Sequence, residues 1–313
     1  MSDFLMKPKV DYAFKEIMMD EQARIGFLSA VLKLNPKEIK ETQILNTNLR
    51  KQREKEKLGI LDVRILMNNH TEIDIEIQLS AISVWADRAL FYLAKMFTDQ
   101  IHSGEDYTVF KRCVSISILD FDLFADESEF YSCFHIWEDT RHFLYTDKME
   151  FHVLELPKLP KELREDSSDI ELWGKFINAE RKEDFVMLAE KNVYIGSAYK
   201  HLQVISQDDE KRMEYEAREK AIRDYNQIIL EAEQRGEARG EARGEARGEA
   251  RGEARGEARG EARGRAVERI ESIRILIADN IEEGVPGEKT IAKLQKHYHL
   301  SENEAKQYYE KFS

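Results

Sequence analysis

The spacing of hydrophobic and polar positions along the chain predicts a sheet flanked by helices. Short stretches between residues 41 and 160 alternate at every second position, which predicts these strands: Ile60–Met67, Glu72–Leu79, Val114–Phe121, Phe130–Trp137 and Phe151–Leu156. Residues 8–34 and the stretch from Trp85 to Ile101 instead carry apolar side chains three and four positions apart, which predicts helices. Gly104 is expected at the C′ position that ends the second of these helices. Residues 168–235 continue as increasingly charged helices.

A perfect tetrapeptide repeat follows these predicted helices. Gly-Glu-Ala-Arg occurs seven times between Gly236 and Arg263. Each Gly costs about 1 kcal/mol relative to Ala in a helix interior, and like charges four residues apart repel each other on a helix surface. We therefore expect a marginal helix or a flexible spacer, which pairing with a second chain would stabilise. Residues 266–313 predict two short helices, for which a dimerisation or docking hairpin is favoured over a DNA-binding one.

The composition argues against secreted and membrane proteins. The chain has 313 residues and two cysteines, too few for a disulfide framework. Its first ten residues lack the apolar run of a signal peptide, and no apolar stretch reaches membrane-spanning length. We therefore expect a soluble cytoplasmic protein with no membrane partner. Cys113 and Cys133 lie at or within predicted strands and are interpreted as packing residues, and the spacing of His135 and His142, without cysteine partners, does not predict a zinc site.

The charge distribution along the chain bears on whether the protein binds nucleic acids. The formal net charge is −13, with 48 Lys and Arg against 61 Asp and Glu, which argues at first against binding to a phosphate backbone. One short segment nevertheless concentrates positive charge. This basic cluster consists of Arg50, Lys51, Arg53, Lys55 and Lys57. It fits either a solvated loop or a surface that contacts a polyanion.

Two adjacent strands carry the acidic side chains of greatest chemical interest. Asn68 and Asn69 between them favour a tight turn, and a hairpin centred on Asn69 places Asp62 directly opposite Glu76. Carboxylates that face each other across a hairpin repel, and Asp74 on the same face adds to the repulsion. A divalent cation would compensate, and ligation by oxygen alone suits Mg²⁺ or Mn²⁺. From spacing alone, the alternative is a hairpin whose polar face is exposed to solvent.

The same residues resemble a known nuclease motif. Asp62, followed after a hairpin by Glu76-Ile77-Gln78, resembles the Asp…Glu-x-Lys core of the PD-(D/E)xK nuclease superfamily, with Gln in the Lys position. Over residues 6–200, the order of further motifs is similar to that of the Rpn family of recombination-promoting nucleases, which are also described as transposases. These motifs are Lys9–Lys15, the Trp85-to-Ile101 helix, Val114–Phe121 and Tyr145–Lys158.

The resemblance implies an α/β fold with a restriction-endonuclease-like core, a mixed β-sheet flanked by helices. An extended helical tail that contains the Gly-Glu-Ala-Arg repeat follows, and then a small C-terminal helical segment. We accordingly expect a nuclease-like domain over residues 1–206, a charged helical linker over residues 207–265, and the C-terminal segment over residues 266–313.

The resemblance also implies a metal site. Asp62 and Glu76 would be the metal ligands for Mg²⁺ or Mn²⁺, and the backbone carbonyl of Ile77 would complete the site. Gln78 would orient the attacking water through hydrogen bonds, because a neutral amide cannot act as a general base near neutral pH. Asp11 is expected either as an additional acidic residue of the site or as an ordinary charge at the start of a helix.

The expected function is that of a metal-dependent DNA endonuclease linked to recombination or transposition. In this interpretation the basic cluster contacts the DNA backbone. Arg88 and Lys15 would either hold a phosphate or form surface ion pairs. A homodimer through the core or the tail remains open.

A second interpretation belongs to another functional class. The nuclease-like core would bind DNA or a protein without cleaving, and the helical tail would drive self-association. Gln78 in the Lys position and the net charge of −13 favour this alternative, whereas the intact acidic pair argues against it.

Overall fold

A six-stranded mixed sheet organises the N-terminal part of the chain. The structure is a computed structural model that describes residues 4–48 and 61–313. The strands are β1 (Thr42–Ile44), β2 (Val63–Met67), β3 (Glu72–Gln78), β4 (Cys113–Leu119), β5 (Tyr131–Trp137) and β6 (Leu144–Glu155). They follow the order β1-β2-β3-β4-β6-β5 across the sheet. The pairs β3/β4 and β4/β6 are parallel, and the other neighbouring pairs are antiparallel.

Helices account for most of the remaining described residues. They are α1 (Asp11–Ile17), α2 (Glu21–Leu32), α3 (Trp85–Thr98), α4 (Asp169–Ile177), α5 (Lys182–Lys191), α6 (Val193–Gln207), α7 (Asp209–Glu282), α8 (Gly287–Tyr298) and α9 (Glu302–Phe312). This mixed sheet with flanking helices confirms the fold class expected from the sequence. The repeat lies wholly within α7, so it forms a continuous helix and not a flexible spacer.

The two faces of β3 have opposite chemical character because side chains alternate along a strand. Ile73, Ile75 and Ile77 belong to the main hydrophobic core, together with side chains of α1, α2, α4, α5 and α6. The other face carries Glu72, Asp74 and Glu76, and α3 packs on this side of the sheet, as shown by the contact of its Trp85 with Leu119 and Val153. The acidic side chains are therefore enclosed between the sheet and a helix.

The strand predictions are confirmed, with differences at their ends. The last strand, β6, begins at Leu144, seven residues before its predicted start, and the three-residue strand β1 was not predicted. The prediction for Gly104 is wrong, since α3 ends at Thr98 and the N–H of its C-cap residue Asp99 bonds to the carbonyl of Lys95. Gly104 has a φ of 90° in the connection that follows. Cys133 is exposed, which contradicts its interpretation as a packing residue, whereas Cys113 is buried as expected.

The chain divides into two compact units, Met1–Gln227 and Ile228–Ser313. In the second unit, Ile273 and Ile277 of α7 pack against Leu294 of α8 and Ala305 of α9. The division into three parts at residues 206 and 265 stays a prediction. Among the described residues, every helix is too short or too polar to cross a lipid bilayer.

The close packing of α2 against α4 and α6 can be tested by substitution of Gly26 in α2. A Cβ at this position would lie 2.1 Å from Tyr194 Cβ of α6 and 3.2 Å from Trp173 Cζ2 of α4. Gly26→Ala should therefore lower the free energy of unfolding by about 1–3 kcal/mol, because neither backbone can retreat without strain. Urea unfolding followed by tryptophan fluorescence measures this change.

Gly248 of the repeat provides a matched control for this substitution. A Cβ there meets no described atom within 4 Å. Gly248→Ala should instead favour the helix by about 1 kcal/mol. Equal unfolding midpoints for wild type and Gly26→Ala would contradict the close approach of α2 and α6.

Candidate metal centre

The hairpin formed by β2 and β3 has the register predicted from the sequence. Arg64 pairs with Asp74 across the two strands, and continuing this register by two residues places Asp62 opposite Glu76. The Met67 N–H donates to the Thr71 carbonyl at 2.9 Å and closes a three-residue loop. The last loop residue, His70, has a φ of 63°, as three-residue hairpin loops require at this position.

Asp62 and Glu76 are fixed by reciprocal hydrogen bonds to each other's strands. The backbone N–H of Asp62 donates to Glu76 Oε1 at 3.2 Å. The backbone N–H of Ile77 donates to Asp62 Oδ2 at 3.1 Å. Each carboxylate thus uses one oxygen to bind the neighbouring strand. These two hydrogen bonds hold the carboxylates facing each other, with the backbone of Ile77 beside them.

The acidic face of β3 is buried, so the alternative of a solvent-facing hairpin is wrong. Glu76 is 3% exposed and Asp74 is 1% exposed. Neither oxygen of the Asp74 carboxyl has a hydrogen-bond partner among the described residues. An unpartnered carboxyl group in the protein interior costs free energy unless it is protonated or neutralised by a cation. When Asp74 is ionised, the acidic face therefore carries a negative charge that no hydrogen bond from the described residues compensates.

Burial and mutual repulsion shift the titration of these carboxyl groups. Burial, together with the nearby charge of Asp11, raises the pKa of Asp62 to about 6. Burial and then the charge of Asp62 raise the pKa of Glu76 to about 8. The pKa of Asp74 lies well above its ordinary value, first because of burial and then because of Glu76 and Asp62. In the absence of a cation, Glu76 therefore retains its proton near neutral pH.

Arg88 of α3 supplies one positive charge to this site. Its guanidinium donates to Glu76 Oε2 at 3.1 Å and lies 5.3 Å from the ring centres of both Trp85 and Tyr92. The Glu76 side chain is only 5% exposed and that of Arg88 is 32% exposed. The sequence left a phosphate contact or a surface ion pair open for Arg88, and the structure shows an ion pair inside the site.

Arg218 supplies a second positive charge, which the sequence analysis missed. Its Nε donates to both carboxylate oxygens of Asp11, at 2.9 and 2.7 Å. Asp11 is the first residue of α1, and its charge and that of Arg218 both act on the pKa of Asp62. Asp11 therefore lies at the acidic site. Arg218 belongs to a helix rich in Arg and Glu, so nothing in its sequence context distinguishes it.

A cavity of about 360 Å³ opens beside these side chains. Its lining includes Asp11, Ile77, Gln78, Arg88 and Arg218. The Nε2 group of Gln78 donates to the carbonyl of Ser80 at 3.0 Å. This bond orients the amide and leaves its oxygen as a hydrogen-bond acceptor. Gln78 thus lies where the Lys of the nuclease motif is expected, beside two Arg side chains.

Two candidates from the sequence remain, Lys15 and the basic cluster. Lys15 lines a second cavity, of about 240 Å³, together with Asp62. The basic cluster, Arg50, Lys51, Arg53, Lys55 and Lys57, lies outside the described residues.

The residues of the site fit a hard divalent cation. Buried carboxylates and a backbone carbonyl are the oxygen donors that Mg²⁺ and Mn²⁺ prefer. The unpartnered Asp74 carboxyl and the raised pKa of Glu76 both indicate a deficit of positive charge. No set of three described side chains that includes Asp62, Asp74 or Glu76 brings its ligand atoms within 4.8 Å of one another. A pair of carboxylates, and not a triad, would hold the ion.

Comparison with known proteins gives one result. A family model described as PD-(D/E)XK nuclease family transposase matches residues 8–232. This span contains the whole sheet, the acidic site and Arg218, and it confirms the resemblance drawn from the sequence. No curated protein and no solved structure gives a significant match.

The raised pKa values predict that the metal-free protein loses stability as the pH rises. The folded state keeps protons on Asp62 and Glu76 after the unfolded chain has released them. This contribution is fully present below the ordinary carboxyl range and is lost as the pH rises through about 8. Urea unfolding in EDTA should show a loss of at least about 1 kcal/mol from Glu76 over this range.

Glu76→Gln is the matched variant, because it keeps the shape of the side chain but has no titratable proton. Its stability should depend less steeply on pH than that of the wild type. Parallel pH dependences for the two proteins would show that Glu76 has an ordinary pKa.

Proposed function

Because the chain belongs to the PD-(D/E)XK nuclease family of transposases, we propose that it is a metal-dependent DNA endonuclease acting in transposition or recombination. The observation that carries this proposal is the pair of Asp62 and Glu76, locked across the β2–β3 hairpin and facing each other in a buried site. Keeping the partly buried Asp62 opposed to the buried Glu76 destabilises the fold unless the pair serves to bind a cation. A nuclease site accounts for this destabilisation.

The proposed ligands are the carboxylates of Asp62 and Glu76 and the backbone carbonyl of Ile77. A bound Mg²⁺ or Mn²⁺ would lower the pKa of an attacking water and neutralise charge that develops on a phosphoryl oxygen. The amide oxygen of Gln78 accepts a hydrogen bond from that water and orients it. Since Gln78 adds no positive charge, activation depends on the ion more than in a site with Lys.

The two Arg side chains give the cavity a means of binding a phosphodiester. Arg88 and Arg218 line the same cavity as Gln78. In the described structure each pairs with a carboxylate, Arg88 with Glu76 and Arg218 with Asp11. When a cation takes over the charge of Glu76, Arg88 can turn its guanidinium to a phosphate oxygen. We propose that the basic cluster contacts the DNA backbone further along the strand.

Cleavage of supercoiled plasmid by the purified full-length protein tests the proposal. Nicking is expected with Mg²⁺ or Mn²⁺ and none in EDTA. Asp62→Ala should reduce the rate by about 10²-fold or more, because the charge stabilisation by a bound ion amounts to several kcal/mol. The fold should survive, since removing one of two repelling carboxylates relieves strain.

Asp166→Ala is the matched control, because the side chain of Asp166 is 83% exposed and pairs only with Arg164 in the described structure. It should cleave like the wild type. Cleavage in EDTA, or full activity of Asp62→Ala, would refute the site assignment. Absence of cleavage with either ion, in a folded protein that still binds DNA, would favour the non-catalytic binding module.

Self-association would allow two sites to cut opposite strands, and we propose that the tail mediates it. The second unit, Ile228–Ser313, has its own small core from three helices. Truncation after residue 235 should reduce the mass measured by light scattering to that of a monomer. An unchanged dimer would place the main interface on the nuclease-like core.

A further inference from the structure

A second group of potential metal ligands lies on the paired strands β5 and β6. Cys133 of β5 is directly opposite His152 of β6, and Glu150 precedes His152 by two residues on the same face. In the described part of the chain, these three side chains are the only His, Cys, Asp or Glu group whose ligand atoms all lie within 4.8 Å of one another. The group includes a thiol and an imidazole, unlike the carboxylate site on β3.

The distances within this group approach those of a metal site. Cys133 Sγ lies 3.8 Å from Glu150 Oε1, and His152 Nε2 lies 2.6 Å from the same oxygen. Ligand atoms around a tetrahedral zinc ion are roughly 3.2–3.6 Å apart, as the bond lengths to sulfur and nitrogen require. Small side-chain rotations would therefore admit an ion between the three atoms.

Tyr131 and Glu150 hold the ring of His152 from its two nitrogen atoms. The Tyr131 hydroxyl lies 3.2 Å from the carbonyl of Val31, and His152 Nδ1 lies 2.8 Å from the same hydroxyl. His152 Nε2 lies 2.6 Å from Glu150 Oε1, a contact that requires a proton or a metal ion between the two atoms. A metal ion bound at Nε2 would leave the ring proton on Nδ1, where it would donate to the Tyr131 hydroxyl.

The surroundings of Glu150 leave one of its oxygens available. Arg112 pairs with Oε2, while Oε1 points to Cys133 and His152. The Glu150 side chain is 5% exposed and that of His152 is 2% exposed, so both are held in place by packing. Cys133 is exposed and provides the route of entry.

A fourth ligand is within reach. His135 Nδ1 lies 3.9 Å from Cys133 Sγ, and His135 Nε2 lies 3.4 Å from Glu150 Oε2. A rotation of its ring would bring one nitrogen to the fourth position of a tetrahedral site; otherwise a water molecule would occupy it.

We propose that Cys133, Glu150 and His152 form a zinc-type transition-metal site, separate from the carboxylate site. Thiolate and imidazole ligands select Zn²⁺ over Mg²⁺. On binding, the thiol of Cys133 loses its proton to solvent and its sulfur forms the bond to the metal. The ion would fasten β5, the edge strand of the sheet, to β6 and to α2 through Tyr131 and Val31.

Cobalt binding by the full-length protein, stripped of metal with EDTA, tests this site. Co²⁺ bound to a thiolate gives a charge-transfer band in the near ultraviolet. The band should saturate at one ion per chain and disappear when Zn²⁺ is added. Cys133→Ser should abolish it, and Tyr131→Phe should weaken cobalt binding about 10-fold or more, because it removes the partner of His152 Nδ1.

Two control variants distinguish this site from cobalt binding at Cys113 or at the carboxylate site. Cys113→Ser alters the other cysteine of the chain, which is buried, and should keep the band. Asp62→Ala should also keep it, so loss of nuclease activity and loss of this site are measured independently. No band in the wild type, or an unchanged band in Cys133→Ser, would overturn the proposal. Because Cys133 is exposed, its substitution leaves the fold intact, which circular dichroism verifies.

Discussion

Burying acidic side chains along one face of β3 sets an electrostatic requirement that the neighbouring elements of the fold must meet. Glu72, Asp74 and Glu76 share a strand whose opposite face is filled with isoleucine. The isoleucines bring the strand to the centre of the sheet, and alternation then forces the acids inward on the other side. Such a face is tolerated only where cations reach it, because an unpaired buried charge costs several kcal/mol.

The chain meets this requirement with arginines from three different elements of the fold, β2, α3 and α7. Arg64 binds Glu72 from the neighbouring strand, Arg88 binds Glu76 from α3, and Arg218 binds Asp11 at the margin of the site. Asp74 has no partner among the described residues. The compensation is thus incomplete at the point where the nuclease motif expects a metal ion. Under the proposed function, Arg88 and Arg218 would turn to a phosphodiester once a cation binds the carboxylates, so the same charges would serve both stability and binding.

The two proposed sites differ in chemistry and in position within the sheet. The carboxylate site lies on β3, near the middle of the sheet, and presents oxygen ligands beside a cavity. The thiol and imidazole group lies on β5 and β6, at the edge of the sheet. Oxygen ligands alone favour Mg²⁺ or Mn²⁺, whereas a thiolate and an imidazole favour Zn²⁺. One ion would then serve catalysis while the other stabilises an edge strand, where an unpaired backbone otherwise invites association.

The hairpin could be predicted from local pattern, because slipping Asp62–Met67 by one residue against Glu72–Gln78 would set charged side chains against apolar ones. The predicted register placed Asp62 opposite Glu76, as the hydrogen bonds between them confirm. The burial of the acidic face, the contact of Arg218 with Asp11 across 207 positions, and the pairing of Cys133 with His152 could not be predicted in this way. Local patterns report which face of an element a residue occupies. They carry no information on which distant element covers that face, and burial, pKa and ligand groups all depend on that covering element.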